Sequence, residues 1–408
     1  MIPTIRAGWE KYRGWILAAG IAFMVIAAVT RLSTQEWILL FGPGRLAGVD
    51  LLSRHRDVHL WFDGMVVYNK TSGAGYPPAS YAMLFPVLGW VDAITARWIW
   101  GGLNLVLLAG MSFLLVRSSG AESTIDRGFI ALVPFSIYPT PVTIGIGQYG
   151  NLVIPALATG ILLLDPRRAA SWRRDAMSAA LILIGLIKIN IAIPFVLLAL
   201  WLPGRWRPIL LIAAGYVTLT LIALSFQPDP AWKIFRDYAV YSSQRLATFG
   251  TNHLPAWLGA LGLGKWNIPA SVIVLIGLGF WIQRHRNADI WLLLGVTGIV
   301  ARIWAYHHFY DDSLIVLPMI ALYRIAKSAG GADARGWIAG GLFAVTWFGM
   351  QAPGALHLYP SPWNLLYYIG EPLVWIADLI FLAGCATREV NSVRLCGAML
   401  SSPLPSDA

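Results

Sequence analysis

The chain has 408 residues, 57% of them hydrophobic and 12% charged, with a mean hydropathy of +0.64. A water-soluble domain carries about 25% charged residues, so the composition excludes an ordinary soluble globule and predicts an all-α, polytopic integral membrane protein. The net charge of +10 would suit a nucleic-acid binder, but the Lys and Arg residues fall between apolar runs. That pattern is positive-inside anchoring, and it excludes nucleic acid as the partner.

At the N-terminus, Arg6, Lys11 and Arg13 precede the apolar run Trp15–Thr30. No small-residue cleavage site follows, so this reads as a retained first helix that starts in the cytoplasm. An outer loop over residues 31–78 comes next, and its core is a polar island beginning at Gly48. Asp50, Asp57, Asp63, Arg54 and Arg56 crowd there, in a segment predicted to form an amphipathic helix lying on the membrane. Its greasy face would be Leu51, Leu52, Val58, Leu60 and Trp61. The island closes at Tyr76-Pro77-Pro78, and 77–91 is predicted to be re-entrant or interfacial.

Apolar runs follow at 97–116, 127–143, 151–164, 176–187, 189–202, 208–226, 268–283, 289–305, 313–325, 336–350 and 364–383. Counted as spans they predict a bundle of about 11–13 transmembrane helices, although several fall short of the roughly 20 residues of a straight crossing. Short or broken helices are tolerated where their ends line a hydrated cavity. A second outer loop is predicted over 227–266. Residues 1–387 form a single transmembrane domain, and 388–408 read as a short, disordered cytoplasmic tail. The only cysteines, Cys385 and Cys396, lie near the C-terminus and build no disulfide framework.

One alternating assignment puts Arg117/Arg127, Arg167/Arg168, Arg173/Arg174, Arg205/Arg207, Arg284/Arg286 and Arg324/Lys327/Arg335 all on the cytoplasmic side. It requires 176–202 to be a helical hairpin turning near Lys188. It also gathers the Asp50 island, the Gly147-Gln148-Tyr149-Gly150-Asn151 turn, Lys188, the 227–266 loop and the Tyr306–Asp312 motif on the outer face.

Individual residues carry more than one reading. Asp50 opens a helix, where a carboxylate either caps or does chemistry. Asp57 and Asp63 read first as solvated residues, with Asp57 the second choice for acid–base work. Arg54 suits a phosphate or a lipid headgroup. Arg302 sits in an apolar run, where an unpaired charge costs at least about 2.5 kcal/mol, so it needs Asp311, Asp312 or a bound phosphate. His307 and His308, followed by Asp311 and Asp312, lack a closed metal-ligand set, and no metal or other cofactor is expected. Lys188 either binds a ligand or snorkels to the interface. Turn chemistry explains the glycines beside Gln148 and Asn151 but leaves the amides unexplained. Asn252 lies in the second outer loop, beside His253, which reads as a structural hydrogen-bonder. No P-loop, dinucleotide-binding, HExxH or GxSxG motif is present, so nucleotide chemistry and zinc proteolysis lack support.

The run Asp50-Leu51-Leu52-Ser53-Arg54, then Trp61, Gly64, Val67-Tyr68, then Tyr76-Pro77-Pro78 with Ser80-Tyr81 and Pro86, resembles the first outer loop of glycosyltransferase family 87. Those are GT-C enzymes that include polyprenyl-phosphate-mannose-dependent mannosyltransferases. Gly147-Gln148 with Asn151, Lys188 and Asn252 fall where that family places similar residues. Two positions depart: Ile189 follows Lys188 where the family often has proline, and the His307-His308 pair is less general. The resemblance implies a hexosyltransferase in a bacterial plasma membrane, with its site on the extracytoplasmic side. It would take a mannose-like sugar from a polyprenyl-phosphate donor to a hydroxyl on a glycolipid or polysaccharide acceptor, with inversion and Asp50 as general base. Arg54, Tyr76, Gln148, Asn151, Lys188, Asn252, Arg302, His307, His308 and Asp311 are the residues it offers for donor phosphate or substrate. The competing reading is a transporter or lipid-linked-sugar flippase, which would ordinarily show an internal repeat; none is visible.

Overall fold

The computed structural model describes residues 2–44, 47–68, 75–169, 171–204, 206–248, 252–328, 333–351, 356 and 359–401, and the regular elements among them are all helical. Residues 69–74 of the polar island, Arg205 and the side chains of Arg6 and Cys396 lie outside the described residues. Among the described residues, five helices are long and apolar enough to cross a membrane, or six if one bent pair counts as a single span. The polytopic all-α architecture expected from composition is what the chain adopts. Long spans are fewer than apolar runs because several runs build half-length helices.

Helix α1 (Ile2–Leu32) continues as a π-helical stretch to Leu40, so the apolar length from Lys11 exceeds the predicted first span. Trp15, Ile26 and Val29 stay exposed on its outer face, as a lipid-facing helix requires. Helix α2 (Val49–Phe62) departs from expectation. Its apolar face meets protein rather than lipid: Leu51, Val58 and Trp61 are fully buried, and Arg54 and Asp57 are buried with them. The Trp61 indole donates to the Ala223 carbonyl at 2.8 Å, which draws α2 into the protein. Asp57 is an ion-pair partner of Arg54 at 3.2 Å rather than a solvated carboxylate.

Helix α3 (Pro78–Leu88) starts on a proline, where the missing N–H costs nothing. Its 11 residues rise only about 16 Å, half of a roughly 30 Å hydrocarbon core. It is therefore too short to span. Helix α4 (Ala93–Ser119) has 27 residues and covers about 40 Å. At its start Arg97 donates to the Ala47 carbonyl at 3.2 Å, just ahead of α2; at its end the Ser118 carbonyl accepts from Arg324. Helices α5 (Thr124–Ser136) and α6 (Pro139–Ile146) form the bent pair, and α7 (Gly150–Leu163) follows the Gly147 turn.

The predicted hairpin is present: α8 (Trp172–Gly185) and α9 (Ile189–Trp201) are joined by a turn ending in Lys188. After α10 (Trp206–Ser225) the expected outer loop is largely helical, with α11 (Ala231–Thr248) and α12 (Leu254–Ala260). Then come α13 (Asn267–His285), α14 (Ile290–Ile303), a tight 3-10 turn (Phe309–Ile315), α15 (Val316–Ser328) and α16 (Ala334–Gly349). A short α17 (Trp363–Leu365) leads through a π-turn into α18 (Glu371–Ser401). Helix α18 runs past Arg388 to Ser401, into the tail read as disordered, and residues 402–408 of that tail lie outside the described residues.

The charges sort by end. Arg13 and Lys327 share Asp126 at 2.5 and 3.0 Å, and Arg167 and Arg324 share Asp289 at 3.0 and 3.3 Å. This basic end lies beyond the finish of α4, the length of a membrane away from α2.

Between α6 and α2 the backbone approach is close. The Gly48 N–H donates to the Gly145 carbonyl at 3.0 Å, and Gly147 has a left-handed φ of +81° with Leu51 only 2.3 Å from where a Cβ would stand. Gly147→Ala would add about 1–2 kcal/mol of backbone strain to about 1–3 kcal/mol of overpacking. A clear fall in Tm in detergent is expected; an unchanged Tm would show that this junction is looser than described.

Candidate active site

A cavity of about 560 Å³ opens at the end of the molecule opposite the basic cluster. Its polar wall comes from the first turn of α2 (Asp50, Ser53, Arg54), the Gln148 turn, Lys188 and the 304–311 segment; its apolar wall includes Ile187, Ile189 and Ile193 beside Ile268 and Val272 of α13.

Asp50 is in the first turn of α2, but the N-cap is Gly48, and no side chain caps the helix. The cap reading therefore falls away. One carboxylate oxygen of Asp50 instead accepts from the Gln148 side-chain amide at 2.6 Å. That amide also contacts the Tyr310 hydroxyl at 3.3 Å. Four residues after Asp50, and so on the same helix face, Arg54 is held by Asp57 and lies over the Tyr76 ring at 4.9 Å.

Lys188 is bound across the chain: its ammonium donates to Asp311 at 2.5 Å and sits 5.0 Å from the Tyr310 ring centroid. The other Asp311 oxygen is 3.1 Å from His307 Nδ1. Burial pushes the Asp311 carboxyl up, but the Lys188 ammonium and the His307 hydrogen bond outweigh it and hold the group well below the usual carboxylate range. Burial dominates at His308 and lowers its imidazole to about 4.

Seven of the residues named from sequence line this cavity: Asp50, Arg54, Tyr76, Gln148, Lys188, His308 and Asp311. Five do not. Asp57 backs Arg54. Asn151 donates to the Asn104 side chain at 3.0 Å, within the packing of α4 against α7. His307 is fully buried behind Asp311. Arg302 is fully buried against Asp312, and Asn252 donates to the Tyr367 carbonyl at 2.7 Å. His253 accepts from the Ala256 N–H at 3.2 Å as the cap of α12. The wall also contains Ser53, Trp304, Tyr306 and Tyr310, which lie in stretches singled out from sequence without roles of their own, and Asn190, Tyr238, Ser242 and Ser271, which sequence reading missed. Ser53 carried a signal, three residues after Asp50 on the same face. Asn190 links two walls, donating to the Tyr306 carbonyl at 2.8 Å and accepting from the Trp304 indole at 2.7 Å.

A cavity with a polar wall and an apolar wall, at one end of a polytopic helical bundle, defines an integral membrane protein with a candidate ligand site. Residues 75–322 match the profile of glycosyltransferase family 87, and the chain belongs to that family. It is thus a glycosyltransferase, with a sugar donor and an acceptor as partners, which decides against the carrier reading. No curated protein and no solved structure matches the chain.

Below pH about 6.5 an unfolded imidazole takes up a proton that folded His308, at about 4, refuses. The unfolded state then binds more protons, so stability falls as pH drops through this window. His308→Gln should remove a share on the order of 1–3 kcal/mol of that loss. The check is Tm between pH 7 and 4, where the variant should show a shallower acid decline than wild type. Parallel declines would place His308 in a wetter setting.

Proposed function

We propose that the cavity transfers a mannose-like hexose from a polyprenyl-phosphate donor to an acceptor hydroxyl on the extracytoplasmic side of a bacterial plasma membrane, with inversion. The observation that carries this reading is the difference between the two carboxylates in the cavity. Asp311 is neutralised by Lys188 and hydrogen-bonded by His307. Asp50 has no cation partner among the described residues, and only one of its oxygens is engaged, by the Gln148 amide. A carboxylate oriented by an amide and not neutralised by a cation is suited to accept a proton.

In the step proposed, the acceptor oxygen bonds to the anomeric carbon as its proton passes to Asp50. The bond from that carbon to the phosphate oxygen breaks, and its electron pair leaves with the polyprenyl phosphate. Lys188 and Arg54 supply positive charge where that phosphate gains it, so the leaving group needs no general acid. The ammonium has three donors and Asp311 takes one. Ile189, Ile193, Ile268 and Val272 offer an apolar surface to a lipid chain. The basic cluster at the far end supports the extracytoplasmic placement by the positive-inside rule.

Asp50→Asn should keep the fold and its Gln148 neighbour while lowering transfer by about 10²–10⁴-fold, assayed in membranes with polyprenyl-phosphate mannose. Transfer within about twofold of wild type would remove Asp50 from the chemistry.

A further inference from the structure

Arg302 is the most completely enclosed cation near the cavity, yet it does not line it. It is fully buried at the end of α14. Its Nε donates to Asp312, an Nη donates to the Asn252 carbonyl at 3.1 Å, and its guanidinium lies 5.1 Å from the Trp375 ring centroid. We infer that Arg302 is a positioning residue of the transferase: by gripping Asp312 and the Asn252 carbonyl together, it sets the 3-10 turn that presents Asp311 to Lys188. The inference rests on the transferase reading of the cavity given above.

The connections converge on that turn. Asp312 also accepts from the Tyr138 hydroxyl, whose oxygen lies 3.2 Å from Glu371 at the start of α18. Asn252, with a left-handed φ of 57°, extends its side chain to the Tyr367 carbonyl at 2.7 Å. One guanidinium thereby ties together the end of α14, the 309–315 turn, the segment entering α12 and the start of α18. Asp311 and Asp312 are adjacent in this tight turn and hold partners in different elements, so Asp312 cannot shift without moving Asp311 off Lys188 or straining the backbone between them. A buried ion pair is weak evidence for stability, since apolar residues of similar volume often do as well. Apolar replacements would not fix the direction of the turn, and direction is what the neighbouring Asp311 requires.

The test uses the full chain in nanodiscs. The first variant is Arg302→Lys, which keeps the charge but loses the fork that reaches Asp312 and Asn252 at once. The second is Tyr138→Phe, which loosens Asp312 from the other side without touching Arg302. Donor kinetics, binding of polyprenyl phosphate itself, and Tm are read for each. For Arg302→Lys, kcat should fall by about tenfold or more while KM for the donor and affinity for polyprenyl phosphate stay within about threefold; Tyr138→Phe should show the same split, more weakly. A rise in KM and loss of polyprenyl-phosphate affinity with kcat intact would make Arg302 a phosphate contact. Lower Tm with unchanged kcat in either folded variant would make the clasp merely structural. Both results overturn the proposal. If Arg302→Lys fails to fold, Tyr138→Phe decides by the same criteria. An active Asp50→Asn protein would instead sink the general-base reading, a result distinguishable from any of these.

Discussion

The ion pair between Lys188 and Asp311 is the constraint on which the outer end of the molecule depends. A lone ammonium in the turn of an apolar hairpin would be expensive to remove from water. The carboxylate that meets it comes from a turn more than a hundred residues later in the chain, so the charge is satisfied only when α9 packs on α14 and brings the two turns together. Docking in turn encloses a cavity, because the side chains that satisfy one another are polar and the helices carrying them are not. The Gln148 turn and the first turn of α2 complete the enclosure, and the close approach of Gly147 to Leu51 holds Asp50 over it.

This arrangement divides labour among charges that look alike in sequence. Asp50 and Asp311 share one cavity but have different partners, an amide for the first and a cation for the second. Lys188 and Arg54 border the cavity, whereas Arg302 supports it from behind. Electrostatic stabilisation of a departing phosphate needs cations fixed before the reaction, and each cavity cation here is fixed by its own buried carboxylate, Asp311 for Lys188 and Asp57 for Arg54.

The sequence was most legible where a residue type was costly in its setting. The apolar runs, the Lys188 hairpin, the polar island with Asp50 and the basic residues between spans all announce themselves through the cost of a charge in hydrocarbon. The half-length of α3 was also visible. Which charge satisfies which was not. Arg302 needs a partner, and Asp312 is one that the sequence offers, but linear order does not say that the pair lies outside the cavity. Asn151, Asn252, His307 and Asp57 were misplaced for the same reason: a polar residue at membrane depth signals a partner, and that partner is as often protein as substrate. The α2 helix read as a membrane-surface element because its apolar stripe does not distinguish lipid from neighbouring helices. Helices α11 and α12 were missed within a stretch too polar to register as a span. Ser242, Ser271 and Tyr238 carried no signal, since small hydroxyls and tyrosines occur throughout membrane helices.

The central claim is most directly tested by a structure with a non-transferable polyprenyl-phosphate sugar analogue and an acceptor bound. The phosphate is expected within hydrogen-bond distance of Lys188 and Arg54, and an acceptor hydroxyl within about 3 Å of Asp50 on the opposite face of the sugar. A donor phosphate seated among Arg324, Arg335 and Arg388 at the other end of the molecule, with the cavity at Asp50 empty, would contradict it.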